Sequence, residues 1–371
     1  MCLFLMTLLN THLNRNPPQY MAKKKVAVYL PEELLFNIFL RLGVKSLLRC
    51  MSVCRTWLSV ISSTHFIKSQ LQLAIKNPTL LIIDYRGGYA ASLSSRRGYH
   101  NNFPRVVLPY DLKNCEVVSC SYNGIICLCD DKDVFYLWNP SIRKYKTLPP
   151  APPRELAARD NTGFGYDFIS DDYKIVRIVY ERSEDDMPTV HLYSTNANSW
   201  RQFRDPIVKS VPRGKTNTDI VVNGVLYFND GDGLISFDLH KEVFGRVTLP
   251  GFWETKRSNV LDFEGSVAIV FEPDGDEQGI YLWTLDDVSG RMQWTRNFRI
   301  HTDSESRLWL YCYLGAGDFY GKMASYDYFL HNILYDYKRE ETEICGVREN
   351  VCATLKYTQT LVSLNGFERV Y

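Results

Sequence analysis

Beyond residue 72 one local grammar is written several times over, and repetition at a fixed length restricts the possible folds more than any single motif does. Asn123–Pro150 reads NGIICLCDDKDVFYLWNPSIRKYKTLPP, and Val222–Gly251 reads VNGVLYFNDGDGLISFDLHKEVFGRVTLPG. In both, Asn-Gly leads into an apolar strand, an acidic turn follows, a second strand ends in Trp-Asn-Pro or Phe-Asp-Leu, and a last strand closes on Leu-Pro. GFGYDFISDDYKIVRIVY and VHLYSTNANSWRQF lie between them; GSVAIVFEPDGDEQGIYLWTLDDVSGRMQWTRNFRI and KMASYDYFLHNILYDYKREETEICGV come after. The period is roughly forty to fifty residues, the length of a four-stranded blade. One such sheet cannot cover its own faces, whereas a closed ring covers the faces and protects the edges. The pattern therefore predicts an all-β propeller of about six blades. Its composite blade is expected to pair a C-terminal strand at Leu361–Leu364 with strands from Thr79–Asp111.

Upstream, Leu30–Leu71 keeps a helical period instead. Pro31 suits a helix start, and Glu32 and Glu33 set negative charge at the positive end of the helix dipole. Leu34, Leu35, Ile38, Phe39 and Leu42 form one stripe, which Gly43 ends. Leu47, Leu48, Met51, Cys54, Trp57, Leu58 and Ile61 form a second, and Ser62, Ser63 and Thr64 offer caps before a short third segment, His65–Leu71. Three helices in about forty residues bury too little surface to offset their chain entropy alone. That much apolar area argues for a partner, or for a lid docked on the rest of the chain.

LPEELLFNIFLRL followed by VKSLLRCMSVCRTW resembles the F-box, the motif that joins a substrate receptor to the Skp adaptor of a cullin–RING (SCF-type) ubiquitin ligase. The resemblance spans the whole motif, with Gly43 standing where the plant pattern usually has Pro. It implies that Leu30, Pro31, Leu34, Ile38, Leu42, Leu47, Val53, Trp57 and Ile61 form the adaptor-binding surface or the core directly beneath it. WNPSIRKYKTLP, GFGYDFISDDYKIV and LYSTNANSW likewise resemble the plant F-box-associated domain, often described as kelch-like, although the double glycine of true kelch repeats is missing. The implied organisation is a disordered or mis-started extension at 1–29, with Met21 as an alternative start, an F-box at 30–71 and a substrate-binding propeller at 72–371. The implied function is non-catalytic: capture of an unidentified target protein for ubiquitination and proteasomal degradation. The rival readings are a binding scaffold outside any ligase, and a propeller enzyme or lectin.

Composition agrees with a protein partner. Hydrophobic residues make up 45% and charged residues 23%, ordinary for a globular chain, and the net charge of +1 lacks the basic field of a dedicated nucleic-acid binder. The ten cysteines show no CxxC or CxxH spacing and read as reduced core residues, so no disulfide framework and no zinc site are expected. MCLFLMTLL lacks the flanks of a signal peptide and is too short to span a bilayer. No membrane association is expected, and the location is cytoplasmic, nuclear or both, Lys23–Lys25 being too short a run to read as an import signal.

Asp230-Gly231-Asp232-Gly233 and Asp274-Gly275-Asp276 look like calcium loops but lack the full spacing and read as hairpin turns. Gly315-Ala316-Gly317 reads as a strand-edge turn rather than a phosphate loop. The seven histidines form no HExxH pair and there is no GxSxG elbow, so no catalytic residue, metal site or cofactor is expected. Trp138, Trp200, Trp283 and Trp294 fall at equivalent strand ends, as core residues between blades do. The loop Arg86–Arg105 is the candidate contact surface for the target.

Overall fold

The computed structural model describes residues 30–84, 89–93, 105–109, 112, 115–118, 120–153, 159–180, 187–211, 220–229, 233–249, 258–271, 279–288, 291–300, 307–324, 330–344 and 353–369. The 1–29 extension, both Asp-Gly loops and most of the Arg86–Arg105 loop lie outside the described residues. The chain divides into two compact units, Met1–Gln72 and Leu73–Tyr371.

Four helices, not three, make the described part of the first unit: α1 Glu32–Leu40, α2 Val44–Met51, α3 Arg55–Ser62 and α4 Thr64–Ile75. The apolar series from Leu47 to Ile61 reads as one helix, but Ser52 turns its hydroxyl onto the Arg49 carbonyl at 2.7 Å and Cys54 is extended (φ −158°, ψ 165°), so the run breaks between Met51 and Arg55. Ser63 caps α4 as its position suggests, accepting the Phe66 N–H at 3.2 Å. Leu35, Phe39, Val44, Leu47, Cys50, Val60, Ile61 and Phe66 are buried and form the interior of this unit.

Among the described residues the second unit holds six antiparallel sheets. Four are continuous in sequence: Arg159–Phe203, Ile220–Thr248, Ser258–Ile300 and Arg307–Ile344, called here the second to fifth. The first, Glu116–Thr147, gains a fifth strand, Glu368–Arg369, on its outer edge. The closing sheet is composite, with Ala353–Tyr357 innermost, then Thr79–Asp84, Tyr89–Leu93 and Arg105–Val107. Each sheet shares an apolar core with both neighbours. Val176 and Ile178 meet Leu226 and Phe237; Val222 and Leu234 meet Ile269; Leu261 and Phe263 meet Phe319. Leu334 and Tyr320 then meet Leu80 and Ile82, Leu81 and Ile83 meet Trp138, and Leu137 and Phe135 meet Ile175. The cycle of junctions closes, and this unit is a β-propeller. TLLIID at Thr79–Asp84 is continuously apolar because its alternate residues serve two different junctions.

Ring closure differs from the sequence expectation. Ala353–Tyr357, not Leu361–Leu364, is the strand that pairs with Thr79–Asp84. Leu361–Leu364 is not a strand; it passes over the first sheet, where Val362 and Leu364 pack at the junction with the second. Asn139, from the Trp-Asn-Pro phrase, fixes this crossing. It is fully buried and donates to the carbonyls of Val362 (2.9 Å) and Thr360 (3.3 Å), while its Oδ1 accepts from the Tyr357 hydroxyl (3.0 Å) and the Ser141 N–H (3.0 Å). Thr360 donates in turn to the Asn123 carbonyl at 2.8 Å. At Gly124 (φ +76°) a Cβ would lie 2.5 Å from the Thr358 carbonyl, so glycine is required for the crossing segment to lie flat.

Asn139→Ala takes the amide donor from two buried carbonyls and one acceptor from the Tyr357 hydroxyl, which keeps Ser141, so the propeller is expected to lose about 1–3 kcal/mol. Urea unfolding monitored by tryptophan fluorescence checks this; a variant with the parent midpoint would mean that the crossing segment does not hold the ring.

Candidate functional site

The nine expected adaptor-surface residues divide into two layers. Leu34 is 51% exposed and Val53 is 36% exposed; Pro31 is exposed, and Leu30, Ile38, Leu42 and Trp57 are half-buried. Leu47 and Ile61, both 0% exposed, do not reach the surface and instead support it from beneath. The stripe on α1 is therefore split, with Leu35 and Phe39 inward and Leu34, Ile38 and Leu42 toward solvent. Trp57 stands edge-on to Phe39, ring centroids 5.1 Å apart, which fixes its indole while leaving part of it uncovered. Leu58, 43% exposed, belongs with the exposed set; its place in a helical series suggested interior packing.

The propeller has two unlike ends, because each sheet runs up, down, up and down from the axis outward. One end carries the turns Asn123-Gly124, Asn223-Gly224, Glu264-Gly265 and Ala316-Gly317, all with both central residues at positive φ, together with Phe168–Asp171. Gly315-Ala316-Gly317 is thus the strand-edge turn its sequence suggests. The outermost strands of the sheets run toward the opposite end, where the described starts of two connections, residues 148–153 and 204–211, leave the first and second sheets.

Two side-chain struts join sheets that are not neighbours. The Tyr122 hydroxyl of the first sheet accepts the Val221 N–H (2.7 Å) and donates to the Val221 carbonyl (3.2 Å) in the third. Lys356 of the closing sheet meets Asp262 of the fourth at 3.3 Å. The innermost strand of the fifth sheet carries a β-bulge between Leu310 and Cys312, which leaves Tyr311 unpaired and 42% exposed. Gly321 permits the bulge, since a Cβ there would collide with the Trp309 carbonyl.

Residues 66–362 match the family described as F-box associated beta propeller domain, and residues 27–71 match the family described as F-box-like. The chain belongs to the F-box-associated β-propeller family. An F-box protein of Arabidopsis thaliana is 26% identical over 362 residues, covering 91% of this chain and 85% of the relative. An F-box/kelch-repeat protein of the same plant is 28% identical over 313 residues, covering 76% and 82%.

In this F-box-associated propeller the second sheet carries buried charge on both faces. Toward the first sheet, Arg177, 0% exposed, pairs with Asp160 (2.7 Å) and Asp133 (2.9 Å) and lies 5.6 Å from the Phe135 ring. Burial, reinforced by the Arg177 charge, pushes the pKa of neighbouring His191 down to about 4, and burial pushes that of Cys129 up to about 12. A neutral imidazole and a protonated thiol leave this Cys/His/Asp cluster without an activated nucleophile. Toward the third sheet, Lys174 donates to the Leu239 carbonyl (2.5 Å) and Glu242 (2.8 Å) and lies 3.5 Å from Asp167; Arg201 also pairs with Glu242. Among the described residues no group of three or more His, Cys, Asp or Glu could hold a metal ion, and no helix is long and apolar enough to cross a membrane. Trp138 is fully buried, and Trp200, Trp283 and Trp294 pack partly buried at sheet junctions.

Gly43 is in a conformation (φ −68°, ψ 155°) that proline adopts freely, and a Cβ there meets nothing within 4 Å. Gly43→Pro is expected to stabilise the helical unit by about 0.4–1 kcal/mol through the unfolded state, seen as slower amide exchange across α2 and α3; faster exchange would contradict the fit.

Burial alone would raise the Asp167 pKa. Hydrogen bonds from the Ser170 hydroxyl, the Ile169 N–H, His240 and the Ser170 N–H overcome it and hold the pKa at about 2. A folded-state pKa below the unfolded value means the carboxylate stabilises the fold above about pH 4, and that this stability is lost as pH falls toward 2. Asp167→Asn should therefore cost about 2 kcal/mol at pH 7, with the gap to the parent closing by pH 2 in parallel melts. A gap independent of pH would assign the loss to packing instead.

Proposed function

We propose that this chain is the substrate-recognition subunit of an SCF-type cullin–RING ubiquitin ligase. Its F-box binds a Skp-type adaptor, and its propeller, with the six sheets as blades around one axis, holds a target protein for ubiquitination and proteasomal degradation. The observation that carries this reading is a four-helix unit with its own interior that leaves Leu34, Val53 and Leu58 exposed on a segment matching the F-box-like family. So small a unit gains from a partner that covers these side chains. The contribution to ubiquitin transfer is proximity: tethering raises the effective concentration of target lysines near the charged conjugating enzyme, and the chain supplies no reacting group. The end of the propeller that gathers the longer connections is the surface offered to the target, because binding specificity resides in loops held by a rigid frame. The site of action is the cytoplasm, the nucleus or both.

Leu34→Ala with Ile38→Ala removes one exposed and one half-buried side chain from α1 and leaves Leu35 and Phe39 in place. Co-purification of the full chain with the Skp adaptor is expected to fall by about a hundredfold or more, roughly 2.8 kcal/mol, while the propeller melts as in the parent. Adaptor binding that survives, together with early melting of the propeller, would mean that the helices pack on the β unit as a lid. Adaptor binding by the parent without any ubiquitin transfer would favour a scaffold outside the ligase.

A further inference from the structure

Residues 30–75 carry Arg41, Lys45, Arg49, Arg55 and Lys68 against only two acids, Glu32 and Glu33. Arg41, Lys45, Arg49 and Arg55 are exposed, and none of these four makes an ion pair among the described residues. Their positions follow the exposed apolar side chains. Arg55 and Leu58 are three residues apart on α3 and are therefore neighbours on its surface. Lys45, Arg49 and Val53 run at steps of four along α2 and its exit, where the Val53 N–H still donates to the Cys50 carbonyl at 3.1 Å. Arg41, the C-cap of α1, lies two turns beyond Leu34 on the same face, with Ile38 between them. Glu32 and Glu33 stand off that face, about 120° or more around α1 from the centre of the Leu34–Ile38–Leu42 line.

The helical unit itself is not served by this arrangement. Lys45 and Arg55 stand in the first turns of α2 and α3, where the helix dipole favours acids, and neither first turn contains one. Lys45 and Arg49, four residues apart on one helix face, also repel each other. Arg41 and Arg49 alone sit at helix C-termini, where a cation is locally favourable. A carboxylate-bearing surface that covers Leu34, Val53 and Leu58 would relieve the repulsion and the unfavourable dipole contacts together.

We infer that the protein partner of the helical unit presents an acidic rim around an apolar centre, and that Lys45 and Arg55, with Arg41 and Arg49 beside them, steer its approach. Nucleic acid supplies negative charge but no cover for Leu34, Val53 and Leu58. A membrane surface takes up apolar residues gathered on one face of one helix, and here they belong to three segments. The inference rests on the reading that a Skp-type adaptor is the partner; it adds the chemistry of the adaptor's contact surface and the step of binding that this chemistry controls, the association rate.

The test is the association rate of purified Skp-type adaptor with the immobilised full-length chain, from about 50 mM to about 500 mM salt, for the parent and for Lys45→Glu combined with Arg55→Glu. Glutamate suits both first turns, so the variant keeps its helices, and amide exchange across α2 and α3 stays at the parent rate or slows. The parent is expected to associate about tenfold more slowly at the high-salt end, and the variant about tenfold more slowly than the parent at the low-salt end. Dissociation should differ little. Adaptor binding whose association is indifferent to salt and to the double replacement would overturn the inference and leave the ligase reading standing. Faster amide exchange in the variant would make the two cations structural and overturn it as well. No adaptor binding by the parent at any salt would overturn both readings. Capture of duplex DNA, or of vesicles of phosphatidylcholine with phosphatidylserine, as tightly as the adaptor and lost in the variant, would assign the cations to that ligand instead.

Discussion

Everything in the larger unit depends on one closure: the last full strand of the chain, Ala353–Tyr357, lies innermost in a sheet whose other three strands come from the beginning of the unit. Until that strand arrives, Thr79–Asp84 has an open edge and the junction with the first sheet lacks Leu355 and Tyr357, so ring closure waits on a contact between the two ends of the unit. The chain does not end there. It continues across the first sheet under Asn139 and adds Glu368–Arg369 to that sheet's outer edge, so the C-terminal segment is tied at the axis of one sheet and at the rim of the next. Tyr357 connects the two ties, since its hydroxyl meets both Asn139 and Ser141.

That arrangement explains which features were legible in the sequence and which were not. The repeat, the Asn-Gly turns and the tryptophans at sheet junctions follow from short-range patterns, and short-range patterns survive in a single sequence. The closing strand was misplaced because ATLKY carries only Leu355 and Tyr357 between polar Thr354 and Lys356, whereas TLVSL gathers Leu361, Val362 and Leu364 without pairing to any strand. Its apolar residues pack beside the first sheet, a tertiary role that leaves no periodic trace. Asn139 appeared as part of a recurring phrase, but its purpose depends on residues more than two hundred positions away. In the helical unit the period identified the stripes but not the break at Ser52, because a serine hydroxyl competing for a backbone carbonyl does not alter the spacing of the apolar residues. Tyr311 was missed for a related reason: a bulge is a register fault between two strands, and only Gly321, glycine within a strand, hinted at it.

The two units divide the work physically. The helical unit has its own interior around Phe39, Leu47 and Phe66 and still presents large apolar side chains to solvent. The propeller completes its cores within its ring, so its free surfaces are chiefly turns and connections. Each unit has its own core, so a change in one acts first on that unit's packing. Separate cores let one unit keep a fixed partner surface while the other carries whatever loops its target requires.

A ring of similar sheets also has to specify which sheet follows which, and apolar junctions do this poorly because Val, Ile, Leu and Phe are close to interchangeable from one junction to another. The second sheet resolves this with charge. Arg177 needs Asp133 from the first sheet, and Lys174 needs Glu242 and the Leu239 carbonyl from the third. Buried pairs of this kind add little net stability over an apolar contact, but a neighbour lacking the partner would leave a charge buried and unpaired, which costs several kcal/mol. The penalty falls only on wrong arrangements. Placing such residues on both faces of one early sheet fixes the order of three consecutive sheets, and the remaining sheets follow because their connections are too short to skip a position.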